Sequence, residues 1–178
     1  TMAMQHSDEL PETASLMSAQ LKGLGEEIDQ ITIGIFKEET NVVKAFGTVK
    51  GDQFQTLEVS VDESFMMGKA YKAWKAGEKS STIELSGEKL ISYNKWRNSF
   101  FHKNIYPVDN PDGTWFANAA FFSKGFLGFS SEKQVSNQAN ELLQRFAAVF
   151  DLTYTRFLDL KKAEAQTREA QIEAALER

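Results

Sequence analysis

No glycine or proline interrupts the chain from Ser131 to Arg178, and this stretch limits the possible folds more than any other feature. Glycine and proline cost a helix interior about 1 and 3 kcal/mol relative to alanine, so their absence permits one continuous helix. Ser131–Glu132–Lys133–Gln134 has the spacing of a capping box, which predicts that the helix starts there. At 1.5 Å per residue it would reach roughly 70 Å, far more than the width of a domain of this size. Val135, Ala139, Leu142, Phe146, Val149 and Phe157 give its first part an apolar face. Past Phe157 the composition turns to Ala, Glu, Gln, Lys and Arg, while Leu158, Ala165 and Ile172 recur at heptad spacing with Leu176 beyond them. The expected organisation is a globular unit over residues 1–157 and a helical coiled-coil linker over 158–178. A single solvated helix held by neighbouring Glu–Lys and Glu–Arg pairs is the alternative for the linker.

The remainder reads as alternating helices and strands. Ala3, Leu10, Met17 and Leu24, with Ala14 and Leu21 between them, predict a helix from Asp8 to Leu24, with Ser7 as N-cap and Gly23 or Gly25 as the left-handed end. Ile31, Ile33 and Ile35 alternate with Thr32, Gly34 and Phe36, and Val42–Lys50 and Gln53–Val61 follow as two more strands, with turns at Glu38–Asn41 and Gly51–Asp52. Asp62–Ser64 opens a helix through Phe65, Met66, Ala70, Ala73 and Trp74 that Gly77 ends, and Ser80–Leu85 is a short strand. Ser86 then caps a helix with Leu90, Tyr93, Trp96 and Phe100 at helical spacing. Tyr106–Gly113 is a loop, and Trp115–Phe122 and Phe126–Ser130 form a hairpin across Ser123–Lys124–Gly125. The pattern is α+β, with an antiparallel sheet of about six strands flanked by helices.

Composition removes several chemistries. With no cysteine, disulfides, thiolate metal sites, cysteine nucleophiles and thioether-linked chromophores are excluded. His6 and His102 stand too far apart in sequence to form a helical metal-binding pair, so no metal ligand is assigned. The net charge of −5 with scattered Lys and Arg argues against nucleic acid, and no apolar run approaches the roughly 20 residues of a membrane-spanning helix. A cytoplasmic location without direct membrane contact is expected.

The segment Met67–Gly68–Lys69–Ala70–Tyr71–Lys72–Ala73–Trp74–Lys75–Ala76–Gly77–Glu78–Lys79 and the hairpin Phe121–Phe129, with Gly125 in its turn and Gly128 in its second strand, resemble those of GAF domains, as does the overall element order from Leu10 to Leu160. The resemblance implies a non-catalytic sensory domain of a signal-transduction protein, such as a bacterial sensor histidine kinase of a two-component system. The family's bilin-binding and sulfoxide-reducing members use cysteines, so neither activity carries over. The chain opens at Thr1 without an initiator Met and stops at Arg178 inside a helical pattern, as expected of a segment from a longer signalling protein; its head, Thr1–Gln5, and tail, Glu169–Arg178, look like linkers of such proteins.

GAF relatives bind small molecules between the sheet and its crossover helices, which makes Trp74, Tyr93, Trp96, His102, Trp115 and Phe121 the candidate pocket. The competing reading is that these aromatics fill the core. Asn94, Arg97 and Asn98 are candidates to orient an anion or amide, with a solvent-facing position as the expectation. His102, at a predicted helix end, is read as structural rather than as a haem ligand. Glu26–Glu27 and Glu38–Glu39 lie beside turns without a partnered base and are read as solvated, and Gly23-x-Gly25 follows a helix, unlike a dinucleotide fingerprint. No catalytic residue and no cofactor is assigned. The expected function is sensing of a small molecule or partner, relayed through Leu158, Ala165, Ile172 and Leu176; the alternative is a structural dimerisation module with a filled core and no ligand. A parallel homodimer through the terminal helices is expected, with Leu10, Met17 and Leu24 near Leu142, Phe146 and Val149 and the relay residues facing a second chain.

Overall fold

The alternation along the strand segments builds one six-stranded sheet in the order β3-β2-β1-β6-β5-β4. The computed structural model describes residues 9–48 and 54–178, so Ala3, the Ser7 cap and the Gly51–Asp52 turn lie outside the described residues. The elements run α1 (Leu10–Gly23), β1 (Gln30–Lys37), β2 (Val42–Thr48), β3 (Phe54–Ser60), α2 (Phe65–Lys75), β4 (Ser80–Ser86), α3 (Gly87–Phe101), β5 (Thr114–Phe122), β6 (Gly125–Ser131) and α4 (Asn137–Leu176). Every strand pair is antiparallel. The α+β class, the sheet and the long C-terminal helix agree with the sequence reading.

The period of two divides the central strands between two cores. Ile31, Ile33, Ala120, Phe122, Leu127 and Phe129 pack against α1 and α4, whereas Phe36, Val43, Ala45 and Phe126 pack against α2. Ile83, Leu85 and Trp115 form a third cluster with Met66 of α2 and Leu90 of α3. Two glycines let β1 and β6 meet at the centre. A Cβ on Gly125 would lie 1.8 Å from the Gly34 carbonyl oxygen, and one on Gly34 would lie 2.1 Å from the Phe126 ring.

Helix α1 buries Leu10, Ala14, Met17 and Leu21, steps of three and four that keep one stripe inward. Leu24 departs from the predicted stripe: it is the exposed C-cap. Gly25, at φ 80°, follows it and completes a Schellman motif in which Gly25 N–H donates to Lys22 and Glu26 N–H to Leu21.

Helix α4 does not begin at the capping-box sequence. The β5–β6 ladder extends to Phe116↔Ser131, holding Ser131 in a strand, fully buried, with its hydroxyl donating to the Lys133 carbonyl. Sheet pairing therefore overrides the local helix-start signal. The N-cap is Ser136, whose Oγ accepts from Ala139 N–H at 3.2 Å. Glu26 reaches this terminus as well, accepting from Ser136 N–H at 3.0 Å and from the Ser136 hydroxyl, so its carboxylate caps a helix instead of being merely solvated. The 40-residue helix is about 60 Å long. Its buried stripe is Ala139, Leu143, Ala147, Phe150 and Phe157; Leu142 and Phe146 flank it half-buried, and Val149 is 61% exposed, against expectation. Ala139 and Phe157 hold their expected places, whereas between them the buried positions Leu143, Ala147 and Phe150 each fall one residue after the expected Leu142, Phe146 and Val149, about 100° around the helix.

Leu158, expected outside the core, is half-buried against it, and every residue from Asp159 to Arg178 is exposed. Among the described residues no helix is long and apolar enough to cross a membrane.

Candidate functional site

The inner face of α3 carries Leu90, Asn94, Arg97 and Asn98, all buried, which overturns the expectation that the last three face solvent. Their spacing of four, three and one places them on one side of the helix. The segment 102–113 folds back over that side and supplies the polar partners that the buried groups require. Asn98 Oδ1 accepts from Ile105 N–H at 3.0 Å and Tyr106 N–H at 2.9 Å, and its Nδ2 donates to the Tyr106 carbonyl at 2.8 Å. Asn94 Nδ2 donates to the Pro107 carbonyl at 2.7 Å, while its Oδ1 accepts from Arg97 Nη2.

Arg97 is 3% exposed and sits in a cage of aromatic rings. Its guanidinium carbon lies 3.5 Å from the ring centre of Tyr106 and 4.6 Å from those of Tyr93 and Trp115. Burial pushes its pKa down from the ordinary arginine value, opposed by Tyr93, Tyr106 and, last, Asp29. Burial raises the Tyr93 phenol in turn, with Arg97 opposing. Removing a cation from water costs several kcal/mol even after relaxation. Ring contacts of about 1 kcal/mol each offset part of that. They do not satisfy hydrogen-bonding capacity: Nε and Nη1 are buried and make no hydrogen bond among the described residues.

Beside this guanidinium is a cavity of about 320 Å³, between α3, the segment 102–113 and the outer ends of β5 and β6. Asn94, Tyr106, Thr114 and Trp115 line it together with Arg97, and Asp112, Glu132 and Lys133 are its other charged residues. A second, open groove of about 480 Å³ lies between the start of α2, at Ser64 and Phe65, and the Ser92–Tyr93–Trp96 side of α3. The first is the better candidate site because it alone adjoins a buried charge with unused donors.

The six sequence-predicted pocket residues do not converge. Trp115 lines the Arg97 cavity, Tyr93 contacts Arg97 from the groove side, and Trp96 stacks on Tyr93 at 5.9 Å between ring centres. Trp74 and Phe121 belong to a separate packed cluster with Phe36, Tyr71 and Phe126, where the Trp74 indole N–H donates to the Phe122 carbonyl at 2.9 Å. His102 is exposed at the end of α3, in the left-handed conformation at φ 52°. Tyr106 was legible in the sequence only as part of a loop. The available signal was the alignment of Asn94 and Asn98 with Leu90 on one helix face, just ahead of a Pro-, Asn- and Gly-rich segment.

No protein-family model matches the chain, and no curated protein matches it.

Proposed function

We propose that the chain is a non-catalytic, GAF-type sensory domain of a cytoplasmic signalling protein. It receives a small molecule in the cavity beside Arg97 and relays its state through α4 to an output domain such as a histidine kinase. The observation that carries this reading is the continuity of α4: one unbroken helix lies in the core as far as Phe157 and then projects about 30 Å beyond it. A rotation or shift at its buried half is transmitted to its far end, and a preference of a few kcal/mol between two states suffices to switch it. Fused through Arg178 to a histidine-kinase core, the chain should set an autophosphorylation level that Ala165→Pro changes several-fold, because proline interrupts the helix. An unaltered level in that variant would defeat the relay.

The second reading is a homodimerisation module without a ligand, and the dense packing of Phe36, Tyr71, Trp74 and Phe126 favours it. Both readings include a homodimer through α4. A thermal-shift screen separates them: a ligand that binds the folded state raises the unfolding temperature, whereas a filled core responds to nothing.

A further inference from the structure

Arg97 is held where a cation is least comfortable, and its surroundings leave its donors partly unused. The guanidinium is 3% exposed, Nε and Nη1 lack hydrogen bonds among the described residues, and a cavity of about 320 Å³ adjoins it. An arginine so placed matches an oxyanion, since a planar carboxylate accepts from its N–H groups directly. The remaining lining sets the size and charge of that anion. Trp115 and Tyr106 offer ring surface and Asn94 and Thr114 neutral polar groups; the carboxylates of Asp112 and Glu132 outnumber the one further cation of the lining, Lys133, which is itself paired with Glu27 at 3.2 Å, and so disfavour a second negative charge.

We propose that the cavity beside Arg97 is a binding site for a small monocarboxylate, whose carboxylate accepts hydrogen bonds from the unused Arg97 N–H groups and whose body lies against Trp115. The Tyr106 ring, 3.5 Å from the guanidinium carbon, covers the cation. Entry of the carboxylate therefore shifts Tyr106, and with it the segment tied to α3 by Asn94 and Asn98. Binding and loop position are coupled at this point. The proposal names the ligand class for the sensory reading above and rests on that reading for its signalling role, though not for binding itself.

The test uses the wild-type chain titrated with benzoate, acetate, succinate and inorganic phosphate, followed by calorimetry and by the NMR signal of the Arg97 Nε–H. Benzoate should bind saturably and move the Arg97 signal downfield, as expected when a carboxylate accepts from it. Acetate should do the same more weakly, and succinate and phosphate should bind at least about tenfold less tightly than benzoate, a difference of about 1.4 kcal/mol. Arg97→Lys, which keeps the charge but loses the planar fork, should weaken benzoate about tenfold. If that variant does not fold, the wild-type titration still decides. An Arg97 signal unmoved at millimolar benzoate, or phosphate binding as tightly as benzoate, would overturn the proposal. Saturable benzoate binding that leaves the kinase fusion unchanged would support this site while defeating the relay; absent carboxylate binding with an intact Ala165→Pro effect would do the reverse.

Discussion

Three helices end in the same hydrogen-bond pattern but with different residues at the left-handed position. Gly25 and Gly77 serve α1 and α2, at φ 80° and 77°, and His102 serves α3 at φ 52°. In all three the closing bonds run 5→2 and 6→1; for α3 they are His102 N–H to Ser99 and Lys103 N–H to Asn98. A side chain there is strained by about 1 kcal/mol, which glycine relieves. His102→Gly is accordingly expected to stabilise the chain by about 1 kcal/mol in urea unfolding; a loss of stability would show that the imidazole makes contacts that outweigh the strain. The adjoining polar cluster predicts the opposite sign. Asn98→Ala leaves the Ile105 and Tyr106 amides and the Tyr106 carbonyl without their partner, at a cost of about 2–3 kcal/mol, and should speed hydrogen exchange at both amides. Exchange unchanged from wild type would mean that the segment is held by something other than Asn98. Neither role was fully legible beforehand. The sequence marked a helix end near His102, but polarity suggested that Asn94, Arg97 and Asn98 faced water, because the loop that satisfies them returns only in three dimensions.

At the scale of elements, strand alternation survived folding, whereas the apolar stripe of α4 and the local capping signal did so only in part. The six strands follow from alternation and turn residues, and the period-two rule assigns the side chains of the central ones to the two faces of the sheet. The start of α4 did not follow from the capping box, since Ser131 was already committed to the β5–β6 ladder. Two substitutions distinguish the predicted from the observed cap. Ser136→Ala should cost about 1 kcal/mol, whereas Gln134→Ala, which would matter equally in a capping box, should be close to neutral. Equal losses in chemical denaturation would restore the earlier start. The central strand pair offers a second contrast. Gly125→Ala drives a methyl against the Gly34 backbone carbonyl and should destabilise by about 3 kcal/mol, while Gly34→Ala meets the side chain of Phe126 and should cost less. The order of the two midpoints checks this, and a reversed order would place the tighter constraint on the ring and not on the ladder.

The whole molecule joins a two-faced sheet to a helix that outruns it, and the exposed half of that helix is where the proposed homodimer contact is to be tested. Helices α1 and α4 share one face of the sheet, as expected, with Leu10, Ala14, Met17 and Leu21 in the same core as Leu143, Ala147 and Phe150. Beyond Leu158 no residue has tertiary burial, and isolated helices of this length are marginal in water. Asp159–Lys162 and Glu164–Arg168, at i,i+3 and i,i+4 spacing, add only about 0.2–0.5 kcal/mol each. Leu160, Ile172 and Leu176 are at the same time 50%, 53% and 81% exposed. A second α4 running parallel would bury the apolar seam through Ala165, Ile172 and Leu176 and supply what the local pairs lack. Leu158 is a poor probe of that contact, because it also packs on the core of its own chain. Ile172→Lys combined with Leu176→Lys places the added charges far from the sheet. The double variant is expected to sediment as a monomer where the wild type is a dimer at high micromolar concentration, to lose part of its helical circular dichroism, and to keep its unfolding midpoint for the sheet. A double variant that remains a dimer, or a wild-type chain that is monomeric yet fully helical to Leu176, would show that the linker stands as a single helix and that α4 does not carry the homodimer contact.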